Sequence, residues 1–306
     1  MPRIGRHPLK EKSIKKPQLK SNAITITTIV YIPSMSDYWS NSFDVLKLFF
    51  ESLLKNTQPV YDLMVFDNGS CKIIIEYLID LRDKGIIQYL ILSDKNHRKL
   101  GALNFLLQSA PGKYISYADS DVFFLPEWLN KSLDILEKFP KAGKVTALPI
   151  VGGDTTVISR QSYLEALNDE KINVETGKIV KDKYILAHLK SLGKEYGNLS
   201  SNDRKDTILI KEEINALLST ADFQFTIKKD ALKDVLPLAI TRDEDYYDPI
   251  YSPILEKKLD ENGWWQLSTM DYLIHHMGNQ IPDFEAELPW IKNLDSNSYE
   301  NKIFKQ

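Results

Sequence analysis

Asp119 and Asp121 stand one residue apart in the stretch Lys113-Tyr-Ile-Ser-Tyr-Ala-Asp-Ser-Asp-Val-Phe-Phe-Leu-Pro126. Tyr114 to Ala118 is β-prone and Val122-Phe123-Phe124 follows at once, so both carboxylates fall where an apolar strand ends. Taking an unpaired carboxylate out of water costs on the order of several kcal/mol, so such a pair calls for a cation or hydrogen-bond donors. An oxygen-only pair suits a hard ion, Mg2+ or Mn2+, of the kind that keeps its waters and bridges to phosphates. The motif alone is common, and the chain holds a second, Asp243-Glu244-Asp245. Either aspartate of the first could instead cap a turn. The setting favours chemistry: a strand before, an apolar run after, and Pro126-Glu127-Trp128-Leu129 opening a helix.

The elements that must hold these residues are legible from periodicity. Ala23 to Ile32 is β-branched almost throughout and stops at Pro33, as a parallel strand covered on both faces would. Asn41 to Asn56 carries Phe43, Val45, Leu46, Phe49 and Leu53 at helical spacing. Further strands are expected at Leu63 to Phe66, Ile86 to Leu92 and around Val145 to Ile150, with helices over Ile73 to Arg82, Leu100 to Gln108 and Pro126 to Phe139. This alternation predicts an α/β fold, a mostly parallel sheet flanked by helices. Ligands on such sheets bind beyond the carboxyl ends of the strands. Ser34, Asp67-Asn68-Gly69-Ser70, Asn96 to Lys99 and Asp119-Ser120-Asp121 all fall at those ends, which makes them one site.

The alternation breaks after Gly153. Residues 154–220 are charged, with Val180 to Leu192 and Lys211 to Leu218 as helix candidates. Ala221 to Ile227 returns to strand periodicity, and Lys229 to Leu236 reads as a short helix. Asp248-Pro249 opens a longer helix closed by Asn262-Gly263, with the expected cap residues at each end. Trp264 to Thr269 and Tyr272 to Asn279 are the last strands. Trp264 and Trp265 either present an apolar face to a sugar or fill the core, since adjacent strand residues point opposite ways. Residues beyond 280 form a polar tail with Trp290 and Phe304 as docking points.

Size and composition bound the function. A chain of 306 residues with 43% hydrophobic and 26% charged residues buries a full core. The single cysteine, Cys71, excludes an intramolecular disulfide framework and fits a reducing compartment. No apolar run approaches the roughly 20 residues of a membrane-spanning helix, and the basic N-terminus lacks the apolar core of a signal peptide. The expected location is the cytoplasm, peripheral to the membrane at most. The net charge of −3 conceals a +6 balance on residues 1–22, leaving −9 on the remainder. The basic leader is either a solvated segment or a weak contact for an anionic membrane surface. The acidic remainder argues against nucleic acid, and no G-x-G-x-x-G follows the first strand, against a dinucleotide enzyme.

Taken together, the motifs resemble a family 2 glycosyltransferase of the GT-A fold. The resemblance rests on Ile32-Pro33, Val65 to Ser70, Asn96, Gly101 to Asn104, Gly112 to Val122, Gly263-Trp264 and His276 to Asn279, in that order. It implies transfer of a sugar from a nucleotide-diphosphate-sugar to a hydroxyl of a saccharide or lipid-linked acceptor, with inversion, assisted by Mn2+ or Mg2+. It further implies Asp121 as metal ligand, with Asp119 nearer the ribose or a metal-bound water and His276 near the metal or diphosphate. The same resemblance places Pro33, Ser34, Asp67, Asn68 and Ser120 with the nucleotide sugar, and Arg98 or Lys99 at the diphosphate. Asn68 departs from relatives that carry a second Asp there. One-step inversion needs a carboxylate base, but the usual spacing back from Gly263 lands on Tyr251-Ser252. The nearby acids, Asp245 and Asp248, are the candidates, Asp248 doubling as a helix cap. The displaced acids leave a second reading open, a non-catalytic GT-A-like module binding a nucleotide sugar or a partner. The expected organisation is a basic tail (1–22), a nucleotide-sugar-binding half (23–150), a helical or loop insertion (151–220), an acceptor-side half (221–280) and a C-terminal tail (281–306).

Overall fold

The computed structural model describes residues 21–151, 160–194, 204–238 and 254–291. Its first half alternates as the periodicity demands: β1 (Ile24–Val30), α1 (Ser42–Asn56), β2 (Asp62–Asn68), α2 (Lys72–Asp83), β3 (Tyr89–Ser93), α3 (Arg98–Ser109), β4 (Tyr114–Asp119), β5 (Val122–Phe124), α4 (Trp128–Lys138) and β6 (Ala142–Thr146). There follow α5 (Arg160–Leu167), β7 (Asn173–Gly177), α6 (Asp182–Ser191), β8 (Asp206–Lys211), β9 (Ile214–Leu217) and β10 (Gln224–Lys228). The described chain closes with α7 (Ile254–Glu261), β11 (Trp265–Ser268), β12 (Ile274–His276) and α8 (Phe284–Glu287).

Ten strands form one mixed sheet in the order β3-β2-β1-β4-β10-β6-β11-β9-β8-β7, and β12 pairs with β5 in a separate ribbon. The β3-β2-β1-β4 half is parallel. Every residue of β1 and β2 is buried, because helices cover both faces. On one face Ile26, Val30, Val65, Phe49 and Leu78 pack together; on the other Ile29, Met64 and Phe66 meet Leu103 and Leu106 of α3. Gly112 must be glycine: a Cβ there would lie 2.6 Å from the Thr25 backbone nitrogen, just where the chain enters β4.

Residues after Gly153 differ from the sequence expectation. Lys211 to Leu218 is not a helix but the turn and second arm of the β8–β9 hairpin, with Glu212 at φ 53° in the turn. Ile208, Leu209 and Ile210 form a β-branched and leucine run, and Ile214 to Leu217 pairs with it; edge pairing to β11 outweighs the helical spacing of the charges. Together with β7 these strands extend the central sheet, so the insertion is not simply helical. The expected Val145 to Ile150 strand lies earlier, at β6, and Lys229 to Leu236 shortens to a 3-10 turn at Lys229–Leu232. Trp265 is core, 3% exposed, while Trp264 packs against Gly143. Trp290 docks its ring on Tyr184 and Tyr272, so residues 281–291 are part of the packed body. Phe304, the 1–20 leader, and the Asp243-to-Asp248 acids lie outside the described residues. Among the described residues no helix is long and apolar enough to cross a membrane.

Candidate active site

The carboxyl ends of β1, β2, β3 and β4 meet at one rim. β10 runs antiparallel to β4, pairing Gln224 with Ala118, so the residues entering β10, Asp222 and Phe223, reach that same rim. The Phe223 carbonyl accepts the Asp119 amide at 2.8 Å. The chain then turns through half-buried Ser120 and Asp121 into β5, whose partner β12 sets His276 opposite Val122. The Met277 amide donates to the Asp121 carbonyl at 2.8 Å, fixing the end of β12 beside the turn.

This arrangement brings His276 Nε2 to 3.4 Å from Asp121 Oδ2. Strand alternation turns His275 to the other face, where its Nδ1 pairs with the Tyr272 hydroxyl at 2.8 Å and its Nε2 lies 3.3 Å from Glu287. Lys99, on the first turn of α3, places its ammonium 2.9 Å from Asp119 and 3.5 Å from Asp222. Burial pulls the Lys99 ammonium down, but Asp119, Asp222 and Asp121 together more than reverse this, and it titrates above its ordinary value. The Tyr117 hydroxyl donates to the other Asp119 oxygen. Burial, then repulsion from Asp119, pushes the Asp121 carboxyl up to about 6 against the pull of His276 and Lys99.

At the end of β2, Asp67 is fully buried and its oxygens accept the Gly69 and Ser70 amides at 3.3–3.4 Å. Burial raises its pKa and these hydrogen bonds oppose the rise. Gly69 sits at φ 90°, a conformation that favours glycine, and lets the turn close against Lys95. Asn68, 2% exposed, accepts the His97 amide at 2.7 Å and donates to Asn96 and the Arg98 carbonyl. Both side chains therefore build the loops that flank the rim. Ser70 Oγ accepts the Ile32 amide at 3.0 Å, lacing this loop to the exit of β1, where Pro33 and Ser34 lie half-buried. Arg98 has φ 59°, with its amide held by Asn96.

Asp222, Phe223, Tyr117 and His188 join the site although the sequence singled none of them out. Asp222 is next to Asp119 only because β10 runs antiparallel to β4, and no spacing encodes that. His188, on α6, stacks on the Phe223 ring at 5.6 Å. Burial first, and then His276 and His275, lower its pKa to about 4.

The residues present suit a divalent cation. Asp121 Oδ1 and His276 Nδ1 are buried without hydrogen-bond partners, and buried polar atoms normally have them. Among the described residues, Asp119, Asp121 and Asp222 stand against the Lys99 ammonium, two negative charges in excess before His276 is counted. No group of three or more His, Cys, Asp or Glu among the described residues is arranged to hold a metal. The protein would thus offer a carboxylate and an imidazole and leave the remaining positions to water and substrate phosphate. A cleft of about 560 Å³ beside Glu165 and Trp265 holds none of these residues.

Fold and rim define an α/β protein of the GT-A class, with the parallel half of the sheet carrying a D-x-D turn. Residues 40–187, just under half of the chain, match the family model described as Glycosyl transferase family 2, and the resemblance read from the motifs is shown over that stretch. Among solved structures, the mannosyltransferase PcManGT from Pyrobaculum calidifontis, in complex with GDP-Man and Mn2+, aligns with TM-score 0.50 at 12% identity. The alignment covers 89% of this chain and 60% of that one. GalNAc-T7 with UDP, GalNAc and Mn2+ aligns with TM-score 0.50 at 13% identity, covering 84% of this chain and 44% of that one. At such identity the likeness speaks for the fold. The chain spans 60% or less of either structure's length. No curated protein matches the sequence.

Proposed function

We propose that the chain is a glycosyltransferase that moves a sugar from a nucleotide-diphosphate-sugar to an acceptor hydroxyl, with inversion and with a divalent cation. The observation that carries this reading is the charge excess at the D-x-D turn, where Asp121 and His276 leave buried atoms without partners. When bound, the cation supplies positive charge to the departing diphosphate. Asp121 and His276 would hold it, and Mn2+ would suit the mixed oxygen and nitrogen pair better than Mg2+. The neighbours bound to Mn2+ and to nucleotides or sugars are in keeping with this.

Lys99, 2.9 Å from Asp119, orients that carboxylate for the ribose or a metal-bound water. The Asp67-to-Ser70 loop, shaped by its own carboxylate, and Pro33-Ser34 with Ser120 form the nucleotide wall. Arg98 borders that wall beside Asn68. A base from Asp245 or Asp248 takes the acceptor proton on the face opposite the leaving group. On this reading residues 23–150, joined by Asp222, bind the donor, and residues 221–280 frame the acceptor side. Within the described part of the 151–220 segment, α6 borders the rim through His188, which stacks on Phe223.

The test is hydrolysis of a panel of nucleotide sugars with Mn2+, with and without Asp121→Ala. Metal-dependent release of nucleoside diphosphate that Asp121→Ala abolishes is expected. Binding without any turnover on the panel or its acceptors would replace the enzyme with a nucleotide-sugar-binding module.

A further inference from the structure

The rim gives the candidate site a direction. β2, β1, β4 and β10 are successive neighbours, each about 4.8 Å from the next. The Asp67 loop ends β2, the Asp121–His276 pair follows β4, and Asp222-Phe223 leads into β10. A nucleotide sugar laid along this rim with its base at the β2 end and its diphosphate at the pair brings its sugar to the β10 end.

His188 stands at that end, one position beyond the family-matched stretch. Its ring lies nearly parallel to Phe223, 5.6 Å away at 22°. The same phenyl ring meets His276 edge-on at 5.5 Å. The helix that carries His188 is firmly seated. Arg204 bonds Asp182 in the first turn of α6 at 2.8 Å and the Val180 carbonyl at 2.5 Å, and clasps buried Asp206 on β8. Tyr184 of α6 packs on Tyr272 and Trp290 at 5.7 and 5.5 Å. A side chain on so fixed an element can be placed accurately against a ligand.

His188 Nδ1 is buried with no partner, as are His276 Nδ1 and Asp121 Oδ1. An orphaned lone pair is less costly than an orphaned N–H, so the proton belongs on Nε2. That leaves a neutral imidazole whose one donor, the Nε2–H, is not among the buried atoms that lack a partner.

We propose that His188 donates a hydrogen bond from Nε2 to a hydroxyl of the donor sugar and so helps decide which sugar is accepted. The assignment rests on the glycosyltransferase reading above. A diphosphate without its sugar has nothing to offer this donor, which separates a sugar contact from a structural one.

The test is calorimetry on the full chain with Mn2+. UDP and GDP are compared with UDP-N-acetylglucosamine and GDP-mannose, for wild type, His188→Phe and His188→Gln. Phenylalanine keeps a flat ring against Phe223; glutamine keeps a donor. His188→Phe should weaken nucleotide-sugar binding about threefold to tenfold, the worth of one net hydrogen bond, and leave the matching diphosphate unchanged. His188→Gln should recover part of the loss. Equal weakening of both ligands, or of neither, overturns the assignment while leaving the glycosyltransferase reading in place. A wild type that binds no nucleoside diphosphate with Mn2+ overturns that reading, and this one with it.

Discussion

Asp121 shows how a single residue can be held against its own preference. Burial and Asp119 push its pKa up to about 6. Between about pH 4 and pH 6 the folded protein therefore keeps a proton that the unfolded chain has released. Folding is favoured at the acid end of that window, and the advantage is lost as pH rises through about 6. In metal-free protein at pH about 7.5, Asp121→Asn should thus gain on the order of 1–2 kcal/mol in urea unfolding, and gain nothing near pH 4. The same variant should lose the thermal shift that Mn2+ gives with a nucleoside diphosphate. A destabilised Asp121→Asn at neutral pH would mean that the carboxylate is satisfied without a cation. The proposed base is separable in the same way. Asp245→Asn should lower kcat with donor affinity nearly unchanged, whereas Asp248→Asn should cost about 1 kcal/mol of stability and little rate. If Asp248→Asn alone removes turnover at unchanged stability, the two roles are exchanged.

At the scale of elements, α7 follows directly on the stretch that carries Asp245 and Asp248, and its placement depends on one buried ion pair. Lys144 of β6, fully buried, bonds Glu256 on the first turn of α7, and its ammonium also lies 4.7 Å from the Phe225 ring centroid. Gln266 of β11 adds a bond to the Glu256 carbonyl at 2.7 Å. Removing one member of such a pair strands the other charge in the core. Lys144→Met should cost about 3–5 kcal/mol, and the double variant with Glu256→Met should recover much of it, measured by urea unfolding. A double variant as unstable as the single would show that the packing of Lys144, not its charge, seats the helix.

At the scale of the molecule, charge is unevenly distributed: +6 on residues 1–22 and −9 on the rest. The leader has little apolar content to contribute to a core. Deleting residues 1–20 should leave melting temperature and nucleotide-sugar hydrolysis unchanged and lower cosedimentation with anionic vesicles, each basic side chain counting for about 1 kcal/mol at such a surface. Loss of folding on deletion would instead make the leader part of the body. The central sheet shows a similar division of labour. Its parallel half carries the D-x-D turn, and the strands beyond β10 include the β7–β8–β9 extension against which α6 is clamped.

The sequence alone determined the parallel half of the sheet, because continuous apolar strands and amphipathic helices are local patterns that burial on two faces requires. It also located Asp119 and Asp121, since a carboxylate pair at the end of an apolar strand is legible in one dimension. The separation of His275 from His276 followed from strand alternation for the same reason. Tertiary structure decided the rest. Asp222 reaches Lys99 only because β10 runs antiparallel to β4, and His188 reaches Phe223 only because α6 is clamped by Arg204. Ile214 to Leu217 became strand because β8 and β11 were there to pair with. Such contacts are chosen by the pairing and packing of distant segments, whose free energy is gained only once the chain has closed on itself, and residue spacing does not record them.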